Sequence, residues 1–116
     1  MNGRLECQIE EHAKAMIFTL KGNLDVSTIS NIMTNIDALL TDHHPKFLFD
    51  CAELKHIDSS GVGALIVLFK RIRANKQGEM KILHLQGQPE DIFHLLRLDH
   101  VFELYTDLDQ ALQSFG

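Results

Sequence analysis

A short apolar stretch near the middle of the chain constrains the fold more than any other feature. The segment Phe47–Cys51 is apolar at every position except Asp50, so both faces of an extended strand here carry apolar side chains. Such a strand is covered on both sides, which favours a central position in a mixed sheet. The chain is therefore predicted to be an α/β protein, with helices laid against one sheet.

The periodicity on either side of this segment indicates the other elements. Residues 4–11 and 14–21 alternate like a β-hairpin, and the apolar positions from Ser27 to Leu40 repeat like one face of a helix that Asp25 or Ser27 caps. The remaining predictions are a helix from Ser59 to about Lys76 that stops near Gly78, a strand at Met80–Leu85, a helix at Glu90–Leu98 with Pro89 at its start, a short edge strand at Phe102–Tyr105 and a helix at Asp107–Phe115. We expect one domain over residues 1–116, with a mixed four- to five-stranded sheet and about four helices packed against it.

Composition and charge narrow the possible functions. A chain of 116 residues, 45% hydrophobic and 23% charged, is typical of one globular domain. The net charge of −5 argues against direct binding of nucleic acid, which depends on Lys and Arg at the phosphates. Residues 1–7 lack the apolar core of a signal peptide, and no run is long enough for membrane insertion. We expect a cytoplasmic protein in which Cys7 and Cys51 are buried, reduced thiols.

The segment 57–63, Ile-Asp-Ser-Ser-Gly-Val-Gly, carries the strongest functional signal. It precedes the apolar run Val62–Ile72, and Asp58, Ser59 and Ser60 are all favourable residues for the N-cap of the helix that this run predicts. The glycines allow other groups to approach the backbone closely. A serine at a helix N-terminus is a suitable place for an anion such as a phosphate. These residues alone leave two interpretations open for Ser59, a simple helix cap or a site of phosphorylation.

The common signatures of catalysis are missing from the sequence. The seven histidines and two cysteines show no His-x-x-x-His or Cys-x-x-Cys spacing, and the glycines follow the serine pair instead of flanking it as in a Gly-x-Ser-x-Gly elbow. No Walker or dinucleotide pattern is present. We therefore expect no enzyme activity, no metal and no cofactor. The basic residues near the end of the second predicted helix indicate a solvated helix end.

Several segments together resemble the bacterial anti-sigma factor antagonists, the founding members of the STAS domain family. Segment 57–63 is close to the family's Asp-Ser-Ser-Gly-Leu-Gly motif, and Leu20–Asp25 resembles its Gly-Glu-Leu-Asp element. Phe47–Glu53 is similar to the strand that leads into the phosphorylation loop, and Gly78 with Met80–Leu85 is similar to the turn and strand that follow. The resemblance covers essentially the whole chain.

The resemblance implies a partner switch. In that family an unphosphorylated antagonist binds an anti-sigma factor that is also a serine kinase, which releases the sigma factor. Phosphorylation ends the binding, and a serine phosphatase resets it. By resemblance Ser59 is the phosphorylated residue, Ser60 supports the loop, and Asp58, Ser60, Gly61 and Asp25 belong to the partner surface. The protein is then expected to be a monomer or a weak dimer.

One position departs from the family pattern. Asn23 stands where the family usually has Glu, so we include Asn23 in the expected partner surface as a residue that can alter specificity. A second function stays open beside the first. Some free-standing STAS domains are structural subunits of larger assemblies, including lipid-transport ATPase complexes and stress-signalling particles, and in these the serine need not be modified.

Overall fold

The computed structural model describes residues 4–116, and the first three residues of the predicted domain 1–116 lie outside this range. The elements in chain order are β1 (Leu5–Glu11), β2 (Met16–Leu24), α1 (Ile29–Thr41), β3 (Lys46–Ile57), α2 (Ser59–Arg73), β4 (Glu79–Leu83), α3 (Gly87–Leu95), a 3-10 turn (Leu98–His100), β5 (Glu103–Tyr105) and α4 (Leu108–Gln113). The predicted fold class, a mixed sheet with about four helices, is confirmed.

The sheet has the strand order β1-β2-β3-β4-β5, so β3 is central as predicted. β1 and β2 form the predicted antiparallel hairpin, and the other neighbours are parallel. β3 is much longer than the predicted strand Phe47–Cys51. It pairs with β2 as far as Ile57, opposite Leu24, but with β4 only as far as Asp50. The last part of β3 therefore extends beyond β4.

Both faces of β3 are covered, as its apolar sequence requires. Phe47 and Phe49 are completely buried on the face against which α1, α2 and α3 pack. Leu48, which points to the opposite face, is completely buried in a smaller cluster with Leu112 of α4 and Phe115. Helices α1, α2 and α3 therefore cover one face of the sheet, and α4 covers part of the other face.

α2 follows from its sequence pattern but ends earlier than predicted. Its buried residues recur every three or four positions. The helix ends at Arg73 instead of Lys76, and Gln77 then adopts a left-handed conformation with φ of 63°. A Cβ on Gly78 would lie 1.8 Å from the carbonyl oxygen of Ile72. Gly78 is therefore required by a close approach to the end of α2.

Two other helix starts differ from the prediction. Neither Asp25 nor Ser27 is the N-cap of α1, because the cap position is Thr28 and the Asp25 carboxylate bonds amides just before the helix. α3 spans Gly87–Leu95 instead of Glu90–Leu98, so Pro89 is its third residue. The first amides of a helix have no partner within the helix, so proline is tolerated anywhere in the first turn and does not fix the start.

The two cysteines are both free. Cys51 is buried, as predicted, and burial raises the pKa of its thiol to about 12. Cys7 is only partly buried because β1 is an edge strand, and burial raises its pKa to about 11. Both thiols are therefore protonated at neutral pH. Among residues 4–116, no helix is both long enough and apolar enough to span a bilayer.

Candidate functional site

The candidate site lies where two neighbouring parallel strands end. Leu24, the last residue of β2, is paired with Ile57, the last residue of β3, and each is followed by an aspartate. Because parallel strands end at the same edge of a sheet, Asp25 and Asp58 lie in adjacent loops. One loop leads into α1 and the other, residues 58–63, forms the first turn of α2. We call this second segment the Asp58–Gly63 turn.

Asp58 organises the start of α2. Its backbone is extended, with φ of −101° and ψ of −179°, and it is the N-cap of the helix. One carboxylate oxygen, Oδ1, accepts hydrogen bonds from the Gly61 amide at 2.8 Å and from the Ser60 hydroxyl at 2.7 Å. Its own amide faces the Leu24 carbonyl oxygen at 3.4 Å. Among the three candidate caps, Asp58 is therefore the one that the fold uses.

Ser60 connects the two loops. Its hydroxyl donates to Asp58 and accepts a hydrogen bond at 3.1 Å from the amide of Val26, which lies 34 residues earlier in the chain. The hydroxyl proton and an acceptor site of Ser60 are thus both engaged within the domain. This bridge holds the start of α2 against the loop after β2.

Gly61 permits close contact between α2 and β2. A Cβ at this position would lie 2.2 Å from the carbonyl oxygen of Leu24 and 3.0 Å from the Ile57 side chain. Real Cβ atoms do not approach a backbone oxygen so closely, so any larger residue must push the helix off the sheet. Gly61 is buried and belongs to the inner side of the turn.

Ser59 and Gly63 lie on the outer side of the same turn. Both are exposed. Within residues 4–116, the Ser59 hydroxyl has no hydrogen-bond partner, and a Cβ on Gly63 would meet no atom within 4 Å. The four-residue spacing places both on one helix face, about 6 Å apart along the axis. This outer face therefore presents a free hydroxyl beside open backbone.

Asp25 is held by the loop that precedes α1. Its Oδ1 accepts hydrogen bonds from the amide and hydroxyl of Ser27 and from the Thr28 amide, at 2.6–3.1 Å. The Thr28 hydroxyl in turn accepts from the Asp25 amide and donates to the carbonyl oxygen of Asn23. Asn23 is half-buried on β2, and its backbone amide donates to the carbonyl oxygen of Arg4, the residue just before β1. The hydrogen bonds that Asn23 makes in the described chain come from its backbone.

Hydrogen bonds keep both aspartates ionised. The Ser60 hydroxyl, helped by the Gly61 amide, lowers the pKa of Asp58 below its usual value. The Ser27 hydroxyl, together with the Ser27 and Thr28 amides, lowers the pKa of Asp25, while the negative charge of Asp58 opposes that shift. The two loops therefore carry two negative charges at neutral pH, one at Asp25 and one at Asp58.

Sequence analysis missed three residues that the fold brings to this region. Val26, 67% exposed, supplies the amide that bonds Ser60. Gln88 in the first turn of α3 bonds both backbone groups of Ile57, and Gln86 bonds the Ala52 carbonyl oxygen. None of these belongs to a periodic pattern or a motif, and the only signal was two glutamines between a strand and a helix. Across residues 4–116, no group of three or more His, Cys, Asp or Glu side chains could hold a metal ion.

Comparison with known proteins agrees with this fold. The family model described as STAS domain matches residues 6–111. The chain is similar to a crystal structure of an anti-sigma factor antagonist from Mycobacterium paratuberculosis, with 21% identity, a TM-score of 0.81 and coverage of 99% of this chain and 98% of that one. It is also similar to the Bacillus cell fate determinant SpoIIAA in its phosphorylated form, with 19% identity, a TM-score of 0.71 and coverage of 93% and 97%. The unphosphorylated form of SpoIIAA gives 19% identity, a TM-score of 0.69 and coverage of 93% and 96%.

Proposed function

Because the chain belongs to the STAS domain family, we propose that it is an anti-sigma factor antagonist whose unphosphorylated form binds a serine-kinase anti-sigma factor and releases the sigma factor. Phosphorylation of Ser59 ends that binding, and a serine phosphatase restores it. The observation that carries the proposal is the contrast between the two adjacent serines. Ser60 is hydrogen-bonded within the domain, whereas the exposed Ser59 hydroxyl has no hydrogen-bond partner among residues 4–116.

A phosphate on Ser59 is compatible with the fold. Phosphoserine adds about −1.5 to −2 charges near neutral pH. The N-terminus of α2 tolerates an anion because helix dipoles and free amides favour negative charge there. The outer position of Ser59 also leaves the Ser60 bridge and the Gly61 contact undisturbed. The modification therefore acts as a local electrostatic switch on a rigid domain.

The effect of the phosphate falls on the partner surface. Asp25 and Asp58 already give this surface two negative charges, so a complementary partner carries Lys or Arg opposite them. A phosphate on Ser59 adds like charge directly beside Asp58 and must be desolvated in the packed interface, and such unmatched charge costs several kcal/mol. That corresponds to a loss of about 100-fold or more in affinity. In this mechanism the protein is a substrate of the kinase and performs no catalysis of its own.

The test is capture of partners from a lysate of the source organism with four immobilised baits. These are the wild-type protein, Ser59→Ala, Ser59→Asp and the matched control Thr41→Asp. Thr41 is exposed at the end of α1, at the opposite edge of the sheet, so its substitution adds the same charge away from the site. Captured proteins are identified by mass spectrometry, and affinities are measured by calorimetry on the purified partner.

The proposal predicts that a serine kinase binds the wild type, Ser59→Ala and Thr41→Asp, and that Ser59→Asp binds it at least about 100-fold more weakly. The purified kinase should transfer phosphate from ATP to the wild type but not to Ser59→Ala. Retention of the same partners by all four baits, in particular transporter or scaffold subunits, contradicts the switch. That result supports the structural-subunit function instead.

A further inference from the structure

The last part of β3 is not paired with β4, and glutamine side chains form hydrogen bonds to its backbone there. β4 pairs with β3 only from Lys46 to Asp50, so the backbone groups of residues 51–57 that point toward β4 have no strand partner. Buried backbone groups need hydrogen bonds, and two glutamines supply some of them, Gln86 just before α3 and Gln88 in its first turn. Gln86 Nε2 donates to the Ala52 carbonyl oxygen at 2.6 Å, and Gln88 bonds Ile57.

Gln88 imitates a neighbouring strand residue. The Ile57 amide donates to Gln88 Oε1 at 2.9 Å, and Gln88 Nε2 donates to the Ile57 carbonyl oxygen at 2.9 Å. A side-chain amide has one acceptor and a two-hydrogen donor group, so it can satisfy both backbone groups of one residue at the same time. The contact joins residues 31 positions apart and fixes Ile57 from the side opposite β2.

Ile57 is the last fixed point before the Asp58–Gly63 turn. Its side chain is completely buried, it pairs with Leu24 of β2, and it lies against Gly61. The next residue is the N-cap of α2, and Ser59 follows directly. Because only Asp58 lies between Ile57 and Ser59, a displacement of the Ile57 peptide would also shift Ser59.

We propose that Gln88 is a positioning residue for phosphorylation of Ser59, acting through the backbone of Ile57. The inference rests on the proposed function. In the transfer, the Ser59 oxygen forms a bond to the γ-phosphorus of ATP, ADP leaves, and the hydroxyl proton passes to a base of the kinase. The rate of such a step depends steeply on the placement of the attacking oxygen. Gln88 does not touch the reacting atoms, and its contribution is to hold the turn that carries them.

The first experiment compares the wild type with Gln88→Ala by amide hydrogen exchange and by phosphorylation with the kinase captured above. We expect exchange of the Ile57 amide to rise about tenfold. The kcat of phosphate transfer should fall about tenfold, with a smaller change in KM. Gln86→Ala is the matched control, because it removes a glutamine side chain of the same connection that bonds Ala52, five residues from Ile57.

The second variant, Gln88→Glu, separates positioning from general stability. Its carboxylate keeps the acceptor but loses the donor to the Ile57 carbonyl oxygen, whereas the protonated acid restores both bonds. The amide chemical shifts of Ile57 and Ser59 should therefore return toward their wild-type values as the pH falls through the pKa of the introduced acid. Wild-type protein measured over the same pH range corrects for the other ionisable side chains of this region, which include Asp25, Asp58 and His56.

The outcomes are distinct. Unchanged exchange at Ile57 in Gln88→Ala, or faster exchange with an unchanged kcat, overturns the positioning role. Equal effects from Gln86→Ala also overturn it, because they indicate general loosening of the connection. If the wild type captures no kinase, the proposed function fails, and hydrogen exchange together with the titration of Gln88→Glu decides whether Gln88 holds the turn.

Discussion

The inner and outer sides of the Asp58–Gly63 turn differ in the contacts that their serine and glycine make with the rest of the domain, although the turn spans only six residues. On the inner side, Ser60 bonds two partners and Gly61 lies against the backbone of β2. On the outer side, the Ser59 hydroxyl has no partner within residues 4–116, and Gly63 faces open space. Each chemical type, serine and glycine, therefore occurs once on each side.

The comparison distinguishes residues that folding requires from residues that are available to a binding partner. A residue whose contacts are all within the domain is explained by folding alone. Gly63 is not explained in this way, because glycine in a helix interior lowers stability relative to alanine and no atom of residues 4–116 crowds this position. The outer side is therefore the side on which selection by a binding partner is expected to act.

The largest effect is expected from Gly61→Ala. The added methyl would lie 2.2 Å from the Leu24 carbonyl oxygen, so α2 must shift from the sheet. We expect a loss of about 3 kcal/mol in the free energy of unfolding, measured by urea denaturation. A midpoint equal to that of the wild type would show that the helix start is not packed as described.

The two serines give the next effect. Ser60→Ala removes the bridge between Val26 and Asp58, and we expect a loss of about 1 kcal/mol in the free energy of unfolding. Ser59→Ala is the matched control and should change it by less than about 0.5 kcal/mol. Equal losses in the two variants would contradict the division between the inner and outer sides.

Gly63→Ala should have the opposite sign to Gly61→Ala. Alanine has the higher helix propensity, and its methyl group meets no atom of the described chain within 4 Å, so we expect a gain of about 0.5–1 kcal/mol in the free energy of unfolding. Because Gly63 lies one helical turn beyond Ser59, the same methyl should weaken binding of the captured kinase, measured by calorimetry. A variant that is more stable and binds equally well would remove Gly63 from the partner surface.

The smallest effect is expected in acid. The pKa of Asp58 is lower in the folded protein than its ordinary value of 3.8, so its contribution to stability is present above pH 3.8 and is lost as the pH falls through the lowered pKa. Asp58→Asn keeps an N-cap side chain but removes this titration. The variant should therefore lose less stability than the wild type below pH 3.8, measured by thermal denaturation across pH. Because Asp58 is exposed to solvent, solvent screening keeps the difference small.

Much of the fold could be predicted because the spacing of apolar residues along the sequence indicates which positions are buried. The apolar stretch at Phe47–Cys51 predicted a central strand with two covered faces, and Phe47 and Leu48 are indeed buried on opposite sides. Boundaries were less predictable. β3 continues to Ile57 through polar residues such as Lys55 and His56. These residues are exposed because they lie beyond the end of β4, so the sequence shows no hydrophobic pattern there.

The candidate site could be predicted only where residue types carry the information. The Asp-Ser-Ser-Gly segment predicted the start of α2, and Asp25 was expected only near the start of α1. The roles of Val26 and Gln88 were not predictable, since Val26 contributes a backbone amide and Gln88 a side-chain amide to partners more than 30 residues away. Residue type alone could not tell which serine is hydrogen-bonded within the domain, because either hydroxyl could have served as the cap, and only the family resemblance distinguished the two.

The long sequence separations of these hydrogen bonds determine when, during folding, the surface around Ser59 forms. The bridge from Ser60 to Val26 spans 34 residues and the contact from Gln88 to Ile57 spans 31, so the surroundings of Ser59 form only after β2, β3, α2 and the start of α3 have assembled. A nascent or misfolded chain contains the same serines but not this surface. A partner that recognises this surface would therefore bind only folded molecules. Newly synthesised protein would become able to bind only when folding is complete.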